Sequence, residues 1–272
     1  MKFERRSNSS TIFCSFALAL TMLCLSSCLL NPHSSSTPAP AVVSTSDLGT
    51  VVPPYTSDNY SITINKTAVS RESLAGNHFA QIIAFGGASP AGAFYGGGTG
   101  NKAFIGLGGD SLAGKNVSLF SSLQFKTLEL ASNPSGAYNI YLNILVDLNC
   151  NPTNPSYVII VVDEYAVTTS PKGSWNSYVI NASDSVFKSV GAKGGLPSNQ
   201  SASGLPLSTL TTSNPNACLV AADVHDNGMK RSQKLSPFLL IHGDSSYTTQ
   251  SVVQVDDIQL TVDSKTLTFD FE

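Results

Sequence analysis

Charge is scarce in this chain. Only 12% of its 272 residues are Asp, Glu, Lys or Arg, and 15 basic side chains face 18 acidic ones. The basic residues form no run, so the chain lacks the electrostatic footprint of a nucleic-acid binder. Aromatics are few, at 8% with a single Trp. No apolar stretch reaches the ~20 residues that carry a helix across a bilayer. No segment holds a sustained apolar stripe of helical period, and 21 Gly with 14 Pro punctuate the chain too densely for long helices. Coiled coil, collagen and charge-rich disorder are excluded on the same grounds. At ~150 residues per domain, what remains is one large β domain or two small ones.

What is present begins with an export pattern. Lys2, Arg5 and Arg6 precede an apolar stretch over residues 12–25, which ends in Leu25-Ser26-Ser27-Cys28. A positive start, a short apolar core and small residues at its end mark a secretory signal. Leu-Ser-Ser-Cys also resembles the lipobox of bacterial lipoproteins. That resemblance implies cleavage after residue 27 and lipidation of Cys28, which would tether the chain to a membrane. Leu29 follows the Cys where an Asp would signal retention, so by analogy the expected destination is the outer membrane or cell surface. An ordinary signal peptide that happens to contain Cys14, Cys24 and Cys28 is the alternative.

Residues 28–58 are expected to be a linker, because the stretch is rich in Ser, Thr and Pro with almost no charge. Such a composition buries too little apolar surface to offset the cost of ordering. Loss of Lys2, Glu4, Arg5 and Arg6 with the signal takes the net charge from -3 to -5. A mildly acidic exterior gives no reason to expect anionic partners. Beyond residue 58 only Cys150 and Cys218 remain, an even pair in an oxidising compartment. They are expected to bridge if strand pairing brings their Cα atoms within ~7 Å. Two separate buried thiols are the alternative, and with no His cluster nearby a zinc site is not expected.

From residue 59 to 272 the pattern is strand after strand. Short runs rich in Val, Ile, Phe, Tyr and Thr alternate with clusters of Gly, Pro, Asn, Asp and Ser. The runs fall at residues 60–64, 79–85, 103–107, 122–130, 138–148, 157–162, 175–180, 218–224, 238–242, 252–262 and 267–271. In Leu123-Gln124-Phe125-Lys126-Thr127-Leu128 apolar and polar residues mostly alternate, which predicts a sheet with one wet face. Ile144-Leu145-Val146 breaks that alternation and predicts a strand covered on both sides at one end. The expected fold is all-β, an antiparallel β-sandwich of jelly-roll kind.

Two glycine-rich segments, residues 86–100 and 191–204, read as loops over that sandwich. Neither has the Gly-x-x-x-x-Gly-Lys-Ser/Thr spacing of a phosphate loop. Gly109-Asp110-Ser111-Leu112 spells the tetrapeptide of the GDSL hydrolases, a resemblance that would make Ser111 a nucleophile. A serine needs a base within hydrogen-bond reach. Neither His225 nor His242 has the family's Asp three positions before it, and the helices of that α/β fold are missing. A glycosidase would need two carboxylates on one face ~5–9.5 Å apart. The neighbours Asp163-Glu164 and Asp256-Asp257 point to opposite faces if they lie in strands. The stretch from Asp223 to Gly228 has the oxygen density of a calcium loop without its spacing, and reads better as a turn.

At the C-terminus Val255-Asp256-Asp257-Ile258 and Thr266-Leu267-Thr268-Phe269 resemble the closing strands of secreted carbohydrate-binding and galactose-binding-like jelly-roll modules. The earlier stretch Tyr141 to Asp147, then residues 157–162, then Gly173-Ser174-Trp175, fits the same order. The resemblance implies a possible structural calcium ion near Asp256 and Asp257. An exterior poor in charge and rich in Ser, Thr, Asn and Gly suits hydrogen bonding to an uncharged ligand, a polysaccharide. The loops 86–100 and 191–204 would shape a shallow site, with Phe94, Tyr95 or Trp175 as stacking surfaces. A lone Trp at a strand start in a sandwich is, however, more often a core plug. No catalytic residue is assigned. The expected function is a non-catalytic surface lipoprotein binding a glycan or other extracellular ligand. A structural or adhesive envelope protein is the alternative, and a hydrolase the third.

Overall fold

The computed structural model describes residues 42–44, 55–57, 60–64, 69–74, 77–84, 103–130, 140–163, 172–221, 236–243 and 251–271. All of them lie in one compact unit, Pro38–Glu272. Their strands are β1 (Val42–Ser44), β2 (Tyr55–Ser57), β3 (Tyr60–Ile64), β4 (Val69–Leu74), β5 (Asn77–Ala84), β6 (Ala103–Leu107), β7 (Phe120–Glu129) and β8 (Tyr141–Asp147). They continue with β9 (Tyr157–Asp163), β10 (Trp175–Asn181), β11 (Lys188–Ser189), β12 (Cys218–Leu219), β13 (Phe238–His242), β14 (Ser251–Val262) and β15 (Lys265–Asp270). The short strands β1 and β2 fall inside the segment expected to be a linker. Val42 to Ser44 pair in parallel with β15, and Tyr55 to Ser57 pair with β3.

The strands form two sheets. In the first, β5, β14, β7 and β10 are successive neighbours; in the second, β6, β13, β8 and β9 are. The pairings β5 with β14, β6 with β13, β7 with β10 and β8 with β9 are all antiparallel. Among these eight strands the first therefore pairs with the last, the second with the seventh, the third with the sixth and the fourth with the fifth. That is one long hairpin folded over on itself, the jelly-roll wrap, and the expected fold is the observed one.

The core lies between the sheets. From the first sheet, Leu123, Phe125, Tyr178, Val253, Val255, Ile258 and Leu260 point inward, every second residue of their strands apart from one bulge. From the second sheet, Leu142, Ile144, Val146, Ile160, Phe238 and Leu240 meet them. The Phe125 and Tyr178 rings stack at 5.4 Å between β7 and β10. Polar side chains replace apolar ones at one end of this interior, where Thr127, Glu129, Ser251 and His242 are all buried. Glu129 is held there by Lys172, at 3.0 Å.

Cys150 and Cys218 form a disulfide, as expected, with Cα atoms 5.3 Å apart. It ties the β8–β9 turn to β12, which pairs with the end of β8. The turn is organised by Asp147, which is buried. Its carboxylate accepts backbone N–H groups from Asn149 (3.3 Å), Asn151 (2.9 Å) and Ser156 (2.7 Å).

The segment 191–204 is a loop, as expected, and a pinned one. Phe187 and Leu205 exchange two backbone bonds of 3.0 Å at its base. The Ser189 hydroxyl accepts from Lys193 N–H at 2.6 Å, and Leu196 enters the core. A Cβ on Gly204 would lie 2.4 Å from the Val186 carbonyl carbon, so only glycine fits where the loop returns. It leads into α2 (Leu207–Ser213), which buries Leu207 and Leu210.

Candidate functional site

The outer face of the first sheet carries the most ligand-like chemistry. Pleating sends alternate residues outward, and on β7 and β14 these are Gln124, Lys126, Leu128, Gln254 and Gln259, each partly exposed. Strand register then orders them into rows. Trp175 stands beside Leu128, which stands beside Gln254, which stands beside Gln81. In the next row Ser177 neighbours Lys126, and Lys126 neighbours Asp256. In the third, Val179, Gln124, Gln259 and Thr268 follow one another.

Trp175 is 40% exposed at the start of β10. The core-plug expectation is therefore overturned. Tyr178 and Ile180 take the inward positions of β10, and parity puts Trp175 on the other side. Its ring meets Phe79 of β5 edge-on, with centroids 5.9 Å apart. Ala80 and Ile82 point into the core, so Phe79 too belongs to the outer face. Phe79 was no part of the sequence-based site, although its place one residue out of phase with Ala80 and Ile82 was the available signal. Phe94 and Tyr95, the other expected stacking residues, lie outside the described residues, as do Cys28 and the stretch 223–228.

Asp256 and Asp257 sit on this same face, at a β-bulge. Asp256 pairs with Lys126 and Gln259 with Gln124, so Asp257 and Ile258 together oppose Phe125. The extra residue, Asp257, takes a left-handed φ of 50°, and its N–H is accepted by the Asp256 carboxylate at 2.8 Å. The Asp257 carboxylate forms an ion pair with Lys126. That hydrogen bond and the charge of Asp257, with a smaller contribution from Asp256, raise the Lys126 pKa above its ordinary 10.5. Calcium requires six to eight oxygen ligands. Among the described residues no group of three or more His, Cys, Asp or Glu side chains converges on a cation position. With Lys126 holding Asp257, the pair does not fit the structural calcium site that the resemblance implied.

The GDSL tetrapeptide forms the single-turn helix α1 (Gly109–Leu112). Gly108 adopts a φ of 94°, which turns the chain out of β6, and Leu112 is buried against it. The Ser111 hydroxyl donates to the Gly108 carbonyl at 2.6 Å. His242 lies at the far end of the neighbouring strand, since it pairs with Ala103 while Phe238 pairs with Leu107. Four residues of strand separate those ends by ~13 Å. The structure therefore does not bring Ser111 to His242, and His225 lies outside the described residues.

No protein-family model matches the chain, and no curated protein matches it.

Proposed function

We propose that the protein is a non-catalytic, exported binding protein whose jelly-roll domain takes an uncharged glycan on the outer face of the first sheet. The carrying observation is the exposed Trp175 ring set edge-on to Phe79 beside the Gln254–Gln81 row. An aromatic ring offers an apolar face to the C–H side of a sugar, and amide side chains supply both donors and acceptors for its hydroxyls. Lys126 and Asp257 add a charge-neutral pair of opposite hydrogen-bonding character on the same face. Phe94 and Tyr95, which lie outside the described residues, are proposed as further stacking residues for the glycan. Lipidation at Cys28 would deliver the domain to the cell envelope, with the membrane as its anchoring partner. Fatty-acid labelling of the wild type but not of Cys28→Ala tests that step.

A glycan array followed by titration calorimetry tests the ligand. Trp175→Ala should abolish or weaken binding at least tenfold with the fold intact. Ser111→Ala should leave it unchanged. An array without hits, or equal affinity of Trp175→Ala and wild type, overturns the reading. The envelope-structural alternative draws support from Val190 and Leu205, two further large apolar side chains left exposed.

A further inference from the structure

We infer that β10 is a self-association edge, across which two copies of the chain pair antiparallel about a two-fold axis at Ser177. Among the described residues β10 pairs with β7 alone, so it is the edge strand of the described sheet. Edge strands are usually blunted by charge, proline or a bulge. Trp175-Asn176-Ser177-Tyr178-Val179-Ile180-Asn181 contains no charged residue and no proline, and its register with β7 is unbroken.

The ladder fixes which backbone groups face outward. Ala182 N–H donates to Ser121 carbonyl at 2.9 Å, and Asn181 N–H turns away to the Asp184 carboxylate at 2.7 Å. Antiparallel hydrogen bonding alternates residue by residue. Positions 182, 180, 178 and 176 therefore serve β7, and positions 175, 177 and 179 present N–H and C=O to the open edge. Asp184 already caps position 181, so the free edge is centred on Ser177.

Outward-bonding residues must oppose outward-bonding residues. Of the registers that satisfy this, the one that engages all three of positions 175, 177 and 179 sets Ser177 against Ser177 of the second copy. The same register sets Trp175 against Val179 of the second copy, and Val179 against its Trp175. Trp175 is 40% and Val179 43% exposed, and they are two of the four exposed large hydrophobics among the described residues. Aromatic and β-branched side chains make favourable cross-strand pairs, and here one strand supplies both halves of the pair. An uncharged edge also meets its own copy without repulsion. The two outer faces would then form one continuous surface. The pairing itself does not depend on the ligand proposal.

Sedimentation velocity of the purified full chain over a concentration series tests the inference. Wild type should populate a dimer. Val179→Lys, at an exposed position, should weaken it at least tenfold while circular dichroism stays unchanged. Ser177 backbones opposed in this way have Cα atoms ~5.5 Å apart, within disulfide reach. Ser177→Cys should therefore give a covalent dimer on mild oxidation, and Asn181→Cys no more than wild type. A monomeric wild type, or a dimer indifferent to Val179→Lys and uncrosslinked by Ser177→Cys, overturns it. A monomer that still binds glycan would overturn the pairing alone and leave the ligand reading standing.

Discussion

The two outer faces of the sandwich are built from the same pleated strands and differ in kind. On the first sheet, β7 and β14 alternate buried and partly exposed residues along their length. On the second, β8 is buried at every position after Tyr141 and β13 at every position. The outward residues Phe104, Leu145, Ile159, Leu239 and Ile241 form a separate apolar cluster there. A face already closed to solvent has no room for a ligand. The wet face is where Trp175, the glutamines and the Lys126–Asp257 pair are available, with Phe79 buried against the Trp175 ring, and this difference locates the proposed site.

The largest expected effect is on the covered side, where the disulfide fastens β12 and the β8–β9 turn. Replacing both Cys150 and Cys218 by Ala releases a loop with a sequence separation of 68. The chain-entropy model puts the cost on the order of 4 kcal/mol. Chemical denaturation of the double variant measures it, and a loss under about 1 kcal/mol would show that the covered face needs no staple.

Next comes a direct contrast between the faces. Leu239→Ala removes a fully buried side chain from the outward cluster of β13 and should cost about 2–5 kcal/mol. Gln254→Ala, at an outward position of β14, should stay within about 0.5 kcal/mol. Thermal melts of the two variants give the comparison. Equal costs would mean that the two outer faces are not different after all.

Much of this contrast was legible in the residues themselves. The alternation from Leu123 to Leu128 announces one wet face, and Ile144-Leu145-Val146 announces a strand covered on both sides at one end, where the structure buries β8 from Leu142 to Asp147. The disulfide was legible because only one even pair of cysteines follows the signal. Trp175 was misread because rarity and strand position say nothing of parity, which only the inward Tyr178 and Ile180 decide. The bulge at Asp257 was invisible, because a two-against-one register needs the partner strand to be known. Phe79 was missed for a similar reason, since its contact with Trp175 crosses the sheet and joins residues far apart in sequence. The helix α2 is too short to show a period, with only Leu207 and Leu210 buried.

A smaller effect is expected when Trp175 becomes Ala. A core Trp costs about 3–5 kcal/mol on truncation. At 40% exposure, with Phe79 as its ring contact, Trp175 should cost clearly less. The melt should barely move while glycan binding falls. A loss of stability at the core value would return the ring to the interior and remove the main support for the site.

The smallest effect separates the wet face by its response to pH. Asp257 raises the Lys126 pKa above its ordinary 10.5. A folded-state pKa above the unfolded one means that the pair's contribution to stability is fully present below about pH 10 and fades as pH rises through the folded value. Because this pair is open to solvent, the contribution is slight and should shrink further with salt. Lys126→Gln should therefore melt close to wild type at neutral pH and lack the part of the alkaline decline that belongs to this lysine. Melting curves between pH 8 and 11, at low and high salt, check both statements. If Lys126→Gln melted far below wild type at pH 7, the ion pair would be supporting the sheet itself. The first sheet's outer face would then be structural, as the second's is, and no longer a surface left open for a ligand.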